Sequence, residues 1–274
     1  MIKKIKISYL AAILPVLLFS ACEKEGTHIM PTIKAINKNF EISGFVLGDT
    51  IEQYFDGLKM REYYGRVSQS YAQNQMAFVT DEVNMELRKK STGETVYQQK
   101  FSINDKDNVV PKFYFNGSQF SNQYTYPAVQ GNDYTTNFFV DSKGASAPVD
   151  INLEVLEYRY DDTKPDPLIV VNTTVFPLAK NIQPGEWTAY VKIPAPVVIP
   201  QQSGTDLYPI VVVRDSKTQE YYIDKDRDRS VINMELPYVG VSPGKVQSVY
   251  LNRKPADGTN FYLEQYELVQ LFPR

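Results

Sequence analysis

The residues that carry most enzyme chemistry are nearly missing from this chain. It has one cysteine, Cys22, and one histidine, His28. His28 lies in a polar stretch outside any strand-like segment, so it serves neither a Ser-His-Asp triad nor a histidine-rich zinc site. With Cys22 alone there is no disulfide to staple the fold, and stability must come from an apolar core. No glycine-rich phosphate loop follows a strand. No apolar run reaches the roughly 20 residues of a membrane-spanning helix. An excess of basic residues is also absent. The chain holds 29 Lys and Arg against 32 Asp and Glu, a net charge of −3, which excludes the basic domains that bind nucleic acid. What catalytic chemistry remains is a pair of carboxylates, as in glycosidases, at a separation that a sequence does not measure.

What is present is aromatic and punctuated. Twenty tyrosines and 14 phenylalanines stand beside a single tryptophan, with 17 prolines and 14 glycines between short apolar segments. No long segment has a period of 3.6 residues and no unit repeats at a fixed spacing. Short alternating segments with turn residues between them predict an all-β chain.

Phe40 to Leu47 opens the folded part. Asp56-Gly57 between Gln53-Tyr54-Phe55 and Leu58-Lys59-Met60 predicts a hairpin, because a type I′ turn needs positive φ at both central residues. Val83 to Lys89 and Val96 to Phe101 form a second hairpin, with Val83, Met85 and Leu87 facing inward. Phe113 to Phe115, Tyr124 to Tyr126, Phe138 to Val140 and Val149 to Tyr160 are further strands. Asp161 to Pro167 has two prolines and no apolar residue, the composition of a linker between domains. Beyond it, Leu168 to Phe176 is a buried strand. Trp187, Ala189, Val191 and Ile193 alternate inward. Pro194-Ala195-Pro196 excludes a central strand. Leu207 to Val213, Gln219 to Ile223, Val231 to Leu236 and Val246 to Leu251 follow. Asn260 to Phe272 is a last strand or a short helix. The expected architecture is two tandem antiparallel immunoglobulin-like β-sandwich domains, residues 37–162 and 168–274; one larger sandwich is the alternative.

The first residues are of another kind. Lys3, Lys4 and Lys6 precede an apolar run from Ile7 to Phe19, and Leu18-Phe19-Ser20-Ala21-Cys22 closes it. A basic start, a short apolar core and small residues before a cleavage point make a secretory signal peptide. These residues resemble a bacterial lipoprotein signal, with Phe19 where leucine is commoner. The acidic tract Glu23-Lys24-Glu25 is similar to the start of surface lipoproteins of the Bacteroidota type. The resemblance implies cleavage after residue 21, lipidation of Cys22 and anchorage in the outer membrane, at the cell surface. Residues 22–36 become a flexible tether, and the membrane, through that lipid, becomes a partner. The leader and the tandem sandwiches together are similar to accessory lipoproteins of glycan-uptake systems. That similarity implies a non-catalytic protein that binds glycan or an envelope protein. The alternatives are a structural, adhesive or pilus-associated envelope protein and a carboxylate-based hydrolase.

Two sets of residues are candidates for binding. Aromatic faces stack on sugar rings, which singles out Trp187 and the pairs Tyr63-Tyr64 and Tyr221-Tyr222. Adjacent strand residues face opposite ways, so one of each pair must leave the core. The second set is Asp224, Asp226, Asp228 and Ser230, oxygen ligands at alternate positions, with Glu235 at the twelfth position of a calcium loop. Arg229 stands where such a loop needs glycine, and three basic residues are interleaved, so a solvated loop of mutually neutralising charges is the competing reading. No other cofactor is expected.

Overall fold

The computed structural model describes residues 35–69, 74–144, 147–165, 167–193, 200–237 and 244–274. The leader, Cys22, His28, nearly all of the tether and Pro194-Ala195-Pro196 lie outside the described residues. Among the described residues the chain is all-β, with two single 3-10 turns and no helix long and apolar enough to cross a membrane.

The strands fall into four sheets. In the first part of the chain these are β1 (Ile36–Asn39), β2 (Ile42–Phe55), β3 (Leu58–Gln69), β4 (Gln75–Phe78), β5 (Glu82–Lys89), β6 (Thr95–Ser102), β7 (Phe113–Phe115) and β8 (Phe120–Ser121). They make a sheet in the order β6-β5-β2-β7-β8, with β3 also on β2, and a small β1-β4 pair. The second part supplies β9 (Tyr134–Val140), β10 (Val149–Tyr160), β11 (Leu168–Ile182), β12 (Val191–Ile193), β13 (Asp206–Asp215), β14 (Val231–Ile232), β15 (Lys245–Pro255) and β16 (Phe261–Glu267). These form one sheet ordered β11-β10-β13-β14 and another ordered β12-β9-β15-β16.

Two expectations need correction. Asp161 to Pro167 is not a linker. It is the loop of a hairpin, because β10 and β11 on either side of it pair antiparallel along their length. The sheets separate by sequence at residues 122–133 instead. Nor is the pairing purely antiparallel: β2 with β7 and β9 with β15 run parallel.

Four apolar clusters hold the described residues, the smallest of them Leu156, Ile210 and Val212. Phe40, Ile42, Ile51, Met85, Leu87, Phe113 and Phe115 centre the first part. Ile151, Leu153, Val155, Val211, Val213, Val249 and Leu251 fill the space between the two later sheets. A third cluster joins the parts: Phe45 and Leu47 of β2 pack with Phe139, Tyr250 and Tyr266. β2 is therefore buried on both faces, Ile42 and Val46 toward one cluster and Phe45 and Leu47 toward another. Beside the third cluster sits Asp141, fully buried. Its carboxylate accepts hydrogen bonds from Tyr250 Oη, from Tyr64 Oη at 3.1 Å and from the Lys143 amide at 2.8 Å.

Candidate functional site

The tyrosine pairs expected to offer platforms are mostly spent on the fold. Tyr63 is only 4% exposed and its hydroxyl donates to Gln53 Oε1 at 2.9 Å. Tyr64 does leave that core, as alternation requires, but its hydroxyl goes to Asp141 and Lys143 Nζ lies 3.2 Å from its ring centre. Tyr221 donates to Glu154 Oε2 at 3.1 Å beneath the Arg214 guanidinium. Glu154 is fully buried, and Arg214 Nε and Nη2 both bond its other oxygen. Tyr222 packs against the second core. Trp187 joins the third cluster and donates Nε1–H to Tyr114 Oη at 3.1 Å. These five residues are not brought together as one binding surface.

The proposed calcium ligands are likewise engaged with the protein. Asp224 Oδ2 accepts from Arg229 Nη1 at 2.8 Å and from the Phe261 amide at 3.0 Å. Those bonds, the Phe261 amide foremost, hold its carboxyl below the ordinary value against the upward push of burial. Asp226 Oδ1 accepts the amides of Asp228 and Arg229, an Asx-type turn. Asp228 pairs with Arg227 Nε at 3.0 Å. Ser230 is buried and bridges the Ile223 amide and the Asp226 carbonyl. Glu235 pairs with Lys245. Among the described residues no three His, Cys, Asp or Glu side chains stand together as a metal site. These groups are thus tied up by amides, guanidinium groups and a lysine of the chain itself.

That loop has a use of its own, because it forms the wall of a groove. β14 covers β13 only at Val211 and Val212. Among the described residues the flank of β13 before Val211 has no neighbouring strand on that side, and Pro209, which has no amide hydrogen to leave unpaired, sits there. A groove of about 680 Å³ opens over this flank, within the roughly 300–1,000 Å³ usual for ligand sites. Leu156, Tyr208, Ile210 and Val231 line it together with Phe261, Tyr262 and Leu263 of β16; alternation along β16 turns the Tyr262 side chain toward the face that carries Tyr266, away from Phe261 and Leu263. Arg227, Asp228, Arg229, Asn233, Asp257 and Asn260 supply polar groups. Tyr208 is 58% exposed and Tyr262 is 45% exposed. Phe261 is braced by Arg253, whose guanidinium carbon lies 3.4 Å from the ring centre. Exposed aromatic rings on a rigid sheet, with guanidinium and amide groups around them, are the chemistry that packs on the apolar face of a ring and bonds its rim hydroxyls.

No family model and no curated protein matches the chain. Among solved structures it is similar to a proposed adhesin from Bacteroides ovatus, at 10% identity over 82% of this chain and 95% of that one, with a TM-score of 0.23. It is also similar to a proposed cell adhesion protein from Bacteroides fragilis, at 10% identity over 81% of this chain and 85% of that one, with a TM-score of 0.24. Superpositions this loose do not establish a shared fold.

Sequence reasoning missed Tyr208 and Tyr262. A signal for both was present. Phe261-Tyr262 is an adjacent aromatic pair just after the Asp257-Gly258 turn, and Tyr208 takes the opposite parity to the apolar Leu207 in a strand carrying a proline.

Proposed function

We propose that this chain is a non-catalytic adhesive protein of the cell envelope that binds carbohydrate through the groove over β13. The observation that carries the reading is the solvent-exposed ring of Tyr208 in a groove that also holds Phe261 and two arginines. Exposed tyrosines cost little side-chain entropy to hold and offer a large amphipathic face. Envelope location rests on the leader, and lipid anchorage rests on Cys22.

The test is titration calorimetry of the full chain against a panel of polysaccharides. Tyr208→Ala should weaken binding by about tenfold, the scale of one lost ring contact. Heat from no glycan, or a Tyr208→Ala variant that binds unchanged, overturns the reading. Anchorage has its own test: Cys22→Ser should leave the leader uncut or release the chain from the membrane fraction. Wild-type cleavage and retention in that variant would remove the lipid from the picture.

A further inference from the structure

The groove's polar side is not chemically even. Arg227 and Arg229 both line it, held by the Asx turn at Asp226 and the buried Ser230. Arg227 uses Nε on Asp228, and among the described residues its two terminal nitrogens meet no acceptor. Arg229 spends Nη1 on Asp224. Each guanidinium keeps donors for a ligand in the groove that Tyr208 also lines, in a fork that matches a pair of anionic oxygens. Asp228 is the carboxylate nearest in sequence to both, and its side chain is 80% exposed.

We infer that the groove selects an anionic sugar, a uronate or a sulfated residue, with Tyr208 under the ring and Arg227 on the acid group. The inference rests on the carbohydrate reading above and narrows it to a substrate class. The whole chain is acidic, so no long-range field gathers polyanions; selection is local to the two arginines and screened within about 8 Å at physiological salt. Carboxylate and sulfate each present a pair of anionic oxygens to the fork, so the ligand's source is a matter for the experiment.

The probes are oligogalacturonate, a sulfated galactan and a neutral galactan, each titrated into the full chain. One or both acidic probes should bind about tenfold more tightly than the neutral one, as expected of charge-assisted bonds. Arg227→Gln should abolish that preference, bringing the acidic probes down to the affinity of the neutral one. Arg227→Lys keeps the charge but not the fork, and should also lose most of the preference. Tyr208→Ala should weaken all three probes alike. Circular dichroism and thermal midpoints of the variants verify that each is folded. If neutral galactan binds as tightly as the acidic probes, or Arg227→Gln keeps the preference, the inference falls while the carbohydrate reading stands. If Arg227→Lys keeps the full preference, the recognition by a fork is overturned. If none of the probes binds, the inference falls; the carbohydrate reading falls with it only if the wider panel is also silent.

Discussion

At the scale of single residues, the most consequential group is a buried acid between the two parts of the chain. Asp141 takes the hydroxyls of Tyr64 from β3 and Tyr250 from β15. Asp141→Ala strands two hydroxyls in the interior, at about 1–3 kcal/mol each. A loss of about 3 kcal/mol in urea unfolding is expected, and clearly less for Asp141→Asn, whose amide oxygen still accepts. An alanine variant within about 0.5 kcal/mol of wild type would show that the bonds contribute nothing. The sequence marked Tyr63-Tyr64 as a pair split between two environments, and that much holds. It could not reveal that Tyr64 finds its partner 77 residues away, as the Tyr64–Asp141 bond does. The same limit hid Glu154 beneath Tyr221, which is why a structural tyrosine read as a platform.

At the scale of elements, local turn chemistry was legible and long-range pairing was not. Asp56 and Gly57 have φ of 48° and 81° and close the β2-β3 hairpin as expected. Nothing lies within 4 Å of a Cβ built on Gly57. Gly57→Ala therefore tests backbone strain alone and should cost about 1–2 kcal/mol, read from the thermal midpoint. The β5-β6 hairpin and the inward set Val83, Met85 and Leu87 also match the alternation. Tyr124 to Tyr126 carries no strand, and Gln219 to Ile223 keeps only one bridge, Tyr221 to Arg214. β11 is the instructive miss. Apolar, β-branched residues suit a strand whether or not it is covered, so Leu168 to Phe176 read as buried; it is an edge strand with Val170, Val171 and Val175 exposed. A register shift between Glu157 and Tyr158 and the proline at 177 interrupt this edge, two devices that discourage pairing with another chain. The hairpin at Asp161 to Pro167 misled for a related reason. A solvent-facing loop and an interdomain linker draw on the same residues.

At the scale of the molecule, the junction is built from tyrosines kept neutral by burial. Burial pushes Tyr114 up to about 12, and it also raises Tyr63, Tyr64, Tyr126, Tyr190 and Tyr250. At Tyr64 and Tyr250 the Asp141 carboxylate adds to the shift. The ordinary tyrosine value is 10.0, and these folded values lie above it. Their contribution is therefore whole below pH 10 and is lost as pH rises through the folded values. The urea midpoint should stay level to about pH 10 and then fall steadily. A midpoint that already falls well below pH 10 would contradict a junction held by neutral tyrosines.

The parallel pairing of β9 with β15 sets residue 134 beside residue 245. A chain emerging from a ribosome or an export channel must therefore hold β9 unpartnered on that side until nearly its whole length has appeared. Ordering the later sheet comes last and closes a very large loop, which favours slow acquisition of structure and a long dependence on holding chaperones. A nascent chain stalled before Lys245 has no counterpart for that strand, and quality control rather than a partly working product is its expected fate.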